Sequence, residues 1–159
     1  MGEVSGEAVI AMSRVEVWAR LRDLRMARHY VPGVTAIEFS TAQREGVGAS
    51  RKVFMKGRAP VDETAIAWED GCGFTVKIHD GDKAAAPFKW ATFQYLIEDA
   101  PGGQTRFRGT FAYEMAYGLL GRMLDVLVVR PALRRTQAVL GPNMKKFYET
   151  GQVTNPALA

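Results

Sequence analysis

The sequence predicts an α+β domain: an antiparallel sheet of about seven strands, dry on one face, covered by a long C-terminal helix. Three observations carry this reading. Residues 34–116 hold a succession of short segments that alternate apolar with polar residues and are parted by glycine-rich turns. Residues 105–116 place Phe107, Gly109, Phe111, Tyr113 and Met115 on one side and Arg106, Arg108, Thr110 and Glu114 on the other, the signature of a sheet covered on one face only. Residues 132–149 repeat Leu133, Thr136, Gln137, Leu140, Met144 and Phe147 at three- and four-residue steps, an apolar stripe that can supply the cover.

Residues 3–12 alternate loosely and read as the first strand. Ser13 with Glu16 three residues later has the spacing of a capping box. The helix it opens carries Val17, Trp18, Leu21 and Leu24 on one side, and a second short helical piece, MARHY, runs to Pro32-Gly33. Strands are expected at 34–43, 49–57, 61–69, 74–79, 89–98 and 105–116. Turns fall at Gly46-Val47-Gly48, Gly71-Cys72-Gly73 and Pro101-Gly102-Gly103, and a longer loop spans Asp80-Gly81-Asp82 to Pro87. Residues 119–129 and 132–149 are helical in pattern. Pro131 is expected to divide them or to sit in the first turn of the second, Pro142 to kink or limit the long helix, and the tail after Gly151 to fray.

The chain has 159 residues, 47% apolar and 24% charged, which fits one domain, 1–159, with its own core. The single Cys72 excludes an internal disulfide, and a cytoplasmic location is expected. The start MGEVSGEAVI lacks the basic region of a signal peptide, and no run of apolar residues is long enough to span a bilayer. The net charge of +4 is scattered apart from Arg130, Arg134, Arg135, Lys145 and Lys146. These read as a solvated helix face, with contact to a membrane surface as a weaker alternative, and no nucleic-acid-binding pattern accompanies them. One cysteine and two distant histidines give no metal-ligand spacing. Gly46-Val47-Gly48 lacks the third glycine and the following helix of a dinucleotide fingerprint, so no cofactor is expected.

The order strand, two short helices, six strands, long helix resembles the helix-grip fold of the START-like, or SRPBCC, superfamily of polyketide cyclase/dehydrase and lipid-transport type. The resemblance covers residues 4–149. It rests on Val17-Trp18 with Asp23, Tyr30-Val31-Pro32-Gly33-Val34, Gly46-Val47-Gly48, Gly103-Gln104-Thr105 and Pro131-Ala132-Leu133, in that order. It implies a curved sheet wrapped around the C-terminal helix and a cavity for a small hydrophobic organic ligand such as a lipid, an isoprenoid or an aromatic polyketide. Relatives of this kind either carry such ligands or cyclise and dehydrate them, so the resemblance implies a container and leaves its chemistry open.

On the expected inner side lie Trp68, Phe74, Phe93, Tyr95, Phe111, Tyr113 and Met115. Leu120, Met123, Leu124 and Leu127 are expected to close the pocket from the helix. Such a set lines a cavity or fills a solid core, and periodicity does not separate the two. Tyr95 and Tyr113 are candidate polar handles, or proton carriers if the protein is a cyclase-type enzyme; His29, near the expected pocket mouth, and Glu63 are candidate acid–base groups. His79 reads as exposed beside a turn. The oligomeric state is left between monomer and homodimer.

Overall fold

The computed structural model describes residues 1–158. β1 (Gly2–Ile10) ends just before Ser13, whose hydroxyl accepts the Glu16 N–H at 3.3 Å while the Glu16 carboxylate accepts the Ser13 N–H at 3.0 Å. This reciprocal pair satisfies amides that would otherwise be orphaned at the start of α1 (Arg14–Leu21), which buries Val17, Trp18 and Leu21. A single 3₁₀ turn (Met26–His29) leads into the rest of the sheet.

The sheet comprises β2 (Val34–Phe39), β3 (Ser50–Met55), β4 (Val61–Glu69), β5 (Gly73–Asp80), β6 (Lys83–Ala84), β7 (Phe88–Ala100) and β8 (Gln104–Met115). Its order is β1-β8-β7-β5-β4-β3-β2, with the two-residue β6 paired to β5 inside the expected loop, and every pairing is antiparallel. This is the expected α+β helix-grip architecture. A bulge in β4 between Ala65 and Ala67 inserts one residue, Ile66, and shifts the alternation. Trp68 thereby turns toward the same face as Glu63 and Ala65, which explains why this strand alternates less cleanly in the sequence.

The two helical patterns at the C-terminus form one continuous rod: α2 (Gly118–Leu124), one π-helical turn (Asp125–Val129) and α3 (Arg130–Thr150). Pro131 lies at the first turn of α3, directly after the π turn. A proline lacks the N–H of the normal ladder and crowds the carbonyl four residues back, and a widened turn accommodates both. Of the two outcomes expected at Pro142, an end to the helix is corrected: α3 runs through it to Thr150, with Pro142 on the solvent side, where water can solvate the carbonyl it leaves unpaired. α3 lies against β1 at close range. A Cβ on Gly6 would stand 2.3 Å from the Gln137 carbonyl oxygen, and one on Gly141 would stand 2.8 Å from the Glu7 carbonyl oxygen.

The expected fraying after Gly151 is also corrected. Asn155 is almost fully buried, its amide donates to the Arg28 and Val34 carbonyls at 2.7 and 2.6 Å, and it accepts the Gly33 N–H at 3.2 Å. One side chain thus ties the tail to the 3₁₀ turn and the start of β2.

Candidate functional site

The inner face of the sheet, which looks toward α3, carries aromatic side chains from β4, β5, β7 and β8. Period two along each strand brings them to one side, and antiparallel register sets them opposite one another: Phe74 pairs with Tyr95 and Phe93 with Phe111. The result is an unbroken chain of ring contacts. Trp18 meets Trp68 at 5.5 Å, Trp68 stacks on Phe74 at 5.0 Å, and Phe74 on Tyr95 at 4.6 Å. Tyr95 meets Phe93 at 4.5 Å, Phe93 meets Phe111 at 6.4 Å, and Phe111 adjoins Phe88 and Tyr113 at 5.7 and 5.8 Å. All the aromatic residues expected at the site are therefore brought together. Phe74, Phe93, Tyr95 and Tyr113 are buried, and Trp68, Phe111 and Met115 are half-buried.

The expected helix-side closure is corrected. Leu120, Met123, Leu124 and Leu127 are 74, 60, 38 and 70% exposed. The inward positions of this segment are held instead by Gly121 and Asp125. A Cβ on Gly121 would lie 1.8 Å from the Ala116 carbonyl oxygen, so this glycine is what lets the helix sit on the end of β8, and its contact turns the leucines outward.

Five polar side chains, Gln137, Arg51, Tyr95, Tyr30 and Tyr148, are buried in the interior. Gln137 of α3 is 3% exposed and stands over β8, where its amide oxygen would be 3.4 Å from a Cβ on Gly109; that oxygen has no hydrogen-bond partner among the described residues. Arg51 of β3 is 2% exposed and gives Nε and Nη2 to Glu63 Oε2 at 2.9 and 2.5 Å, while Nη1 donates to the Leu24 carbonyl. Burial opposes the Arg51 charge, and the adjacent Glu63 carboxylate more than offsets it, so the guanidinium stays protonated. Tyr95 and the contacting pair Tyr30 and Tyr148, whose hydroxyls are 3.5 Å apart, complete the group. Burial raises all three phenols well above the ordinary tyrosine range; Arg51 opposes the rise at Tyr95.

Tyr113 is a different case. Its ring is fully buried beneath Gly2, and its hydroxyl donates to Asp125, which also pairs with Arg130 at 2.5 Å. Burial and the Asp125 carboxylate raise its pKa. The hydroxyl is thus committed to holding the π turn on the sheet. Glu63 faces inward but is committed to Arg51. The His29 ring stacks at 4.9 Å on Phe147, which in turn adjoins Tyr30 and Tyr148 at 6.1 Å each, and the His29 Nδ1 lies 3.2 Å from the Met26 carbonyl oxygen. It lines a cleft of about 360 Å³ with Arg25, Met26, Arg28 and Ile37. A second cleft of about 230 Å³ crosses Trp68, Phe74 and Tyr95 near the bulge of β4. Neither is lined by α3. Over Gly109 the interior is close: a Cβ there would meet Phe93 and Phe107 of the sheet at 2.8 and 3.1 Å and the Gln137 amide oxygen of α3 at 3.4 Å. His79 lies half-buried on the outer face, hydrogen-bonded to Thr64 and to the Gly81 carbonyl, each at 2.8 Å.

Arg51, Gln137 and Asp125 were not among the expected site residues. Gln137 was legible, since it is a polar residue within the inward stripe of the long helix. Arg51 carries no such signal, because a basic residue in a strand ordinarily faces water. The described residues contain no cluster of metal-ligating side chains, and no helix is long and apolar enough to cross a membrane.

Comparison with solved structures places the architecture. A protein from Thermus thermophilus superposes with a TM-score of 0.73 at 18% identity, covering 94% of this chain and 99% of the other. Ara h 8.0201 gives 0.69 at 14% identity, covering 94% and 98%. A point mutant of Thalictrum norcoclaurine synthase, in complex with a transition-state analogue, gives 0.63 at 13% identity, covering 91% and 94%. At these identities the likeness shows the fold alone. No curated protein sequence matches the chain. The family model described as polyketide cyclase/dehydrase and lipid transport matches residues 1–146. Its span takes in every strand, the Arg51–Glu63 pair and Gln137, and the chain therefore belongs to that family.

Proposed function

We propose that the protein binds one small, largely apolar organic molecule against the inner face of the sheet, under α3, and serves as a carrier or binding module. The observation that carries this reading is Gln137: an amide oxygen, buried, without a hydrogen-bond partner among the described residues, and held over Gly109 of β8. A buried acceptor without a donor costs stability, so its retention in an aromatic interior needs a reason. A ligand hydroxyl or N–H reaching it supplies one. The expected ligand is therefore a hydrophobic molecule with at least one donor, such as a hydroxylated aromatic polyketide, an isoprenoid alcohol or a protonated fatty acid. Family membership supports the same class. The side chains between sheet and helix stand close, so binding needs the half-buried Phe111, Met115 and Leu133 to change rotamer, and methionine adapts readily to that.

The polar groups favour carriage over the alternative, a cyclase or dehydratase. A proton-transfer catalyst works best with a group that titrates near the working pH. Here the three buried phenols are pushed away from neutrality and remain hydrogen-bond donors, and Glu63 is paired with Arg51.

A thermal-shift screen with hydroxylated and non-hydroxylated members of each class tests the proposal. A ligand of the native state raises the midpoint in a concentration-dependent way. Hydroxylated ligands are expected to raise it and their deoxygenated analogues to raise it less. No shift with any class contradicts the reading.

A further inference from the structure

We propose that the outward face of the helix from Tyr117 to Val128 docks on an anionic lipid bilayer. The segment inverts the usual pattern of a surface helix. Leu119, Leu120, Met123, Val126, Leu127 and Val128 are all more than half exposed, while Gly121 and the acidic Asp125 take the inward positions. Tyr117, 69% exposed, stands at the helix start. Scattered single exposures are ordinary, but contiguous turns of them mark an interaction surface.

Charge selects the occupant. From Tyr117 to Tyr148 the helix contains one carboxylate, Asp125, and it is buried and paired with Arg130 and Tyr113. Arg122 lies within the apolar face, and Arg134 and Arg135 are exposed just beyond it. On the adjoining strand end, Glu114 is paired with Lys89 at 2.7 Å. Packing this face on a second copy would bring arginine toward arginine, with no free carboxylate on the face to pair them. A bilayer bearing anionic lipids accepts both halves: the leucine, valine and methionine side chains enter the interface, and the arginines meet the phosphates. The Tyr113–Asp125–Arg130 contacts hold the segment on the end of β8, beside the half-buried Phe111 and Met115. Docking would therefore place that end of the aromatic interior next to lipid. The inference stands on exposure and charge, independently of ligand binding.

Co-sedimentation with vesicles tests it, using phosphatidylcholine alone and a mixture with one part in four phosphatidylglycerol. The full chain is expected to bind the anionic vesicles, at least tenfold more weakly the neutral ones, and less at high salt. Arg134→Gln is expected to lower binding to the anionic vesicles about fivefold. The double variant Leu120→Glu, Leu127→Glu is expected to lower it at least tenfold while keeping the near-UV circular dichroism of the parent, since both side chains face water in the fold. Absence of binding to the anionic vesicles, or equal binding to both compositions, overturns the proposal. So does sedimentation equilibrium that shows a dimer of the parent converted to monomer by the double variant, because the face would then belong to a second copy.

Discussion

Replacing Gln137 by methionine separates the stability of the empty fold from its capacity to bind. The side chain is 3% exposed, its amide oxygen has no partner among the described residues, and it stands over Gly109 of β8. Leaving one buried polar atom unsatisfied costs about 1–3 kcal/mol. Methionine has nearly the same length and volume and no carbonyl, so Gln137→Met removes that penalty while filling the same space. We expect the unliganded protein to gain about 1–2 kcal/mol. The same change removes the acceptor offered to a ligand donor, so affinity for a hydroxylated ligand should fall about tenfold, one hydrogen bond's worth, while that of its deoxygenated analogue changes little. Urea unfolding of parent and variant without ligand reads the first effect, and calorimetric titration with the ligand pair reads the second. A variant destabilised by more than about 1 kcal/mol, on the scale of a normal buried hydrogen bond, would show that the amide is satisfied and would refute the reasoning.

The Arg51–Glu63 pair should behave as a unit. Glu63→Leu alone leaves a buried guanidinium unpaired and is expected to cost about 3–5 kcal/mol, whereas Arg51→Met with Glu63→Leu together should come within about 1–2 kcal/mol of the parent; additive losses in the unfolding cycle would show the pair to be solvated. Tyr30, Tyr95 and Tyr148 have folded-state pKa values above their unfolded ones, so their contribution is fully present below pH 10 and is lost as the pH rises beyond it. Three such groups give a limiting slope of about 4 kcal/mol per pH unit, and Tyr95→Phe should reduce it by about a third; a flat unfolding profile between neutral and strongly alkaline pH would contradict their burial. Gly6→Ala forces a methyl group against the Gln137 carbonyl and should cost at least about 2 kcal/mol in urea unfolding by separating β1 from α3; a loss below about 0.5 kcal/mol would place the helix farther from the sheet.

The strands and the long helix were legible because their side-chain alternation is set by burial, and burial is written in residue type. β8 shows this most plainly: each residue assigned inward from period two is on the inner face. Trp68 was harder, since the bulge at Ile66 breaks the period and is visible only in the pairing with β5. The continuation of α3 past Pro142 was not legible because the cost of a missing N–H depends on which side of the helix it falls. Asn155 was missed for the opposite reason: a polar tail after a glycine ordinarily reads as solvated, and only the carbonyls of Arg28 and Val34 show what it binds. The leucines of α2 were placed correctly on a helix but on the wrong side of it. Apolar composition implied a buried face, and the contact of Gly121 with β8 decided otherwise. For the site, the aromatic members followed from strand period, whereas Arg51 depended on the β3–β4 pairing that brings it to Glu63.

Native mass spectrometry of the freshly purified protein tests most directly whether the aromatic inner face and Gln137 hold a small apolar molecule. A mass increment from an organic-extractable, hydroxyl-bearing molecule, present on the parent and diminished on Gln137→Met, is the expected result. A parent that flies at its bare mass, and remains bare after incubation with the candidate ligand classes, would contradict the account.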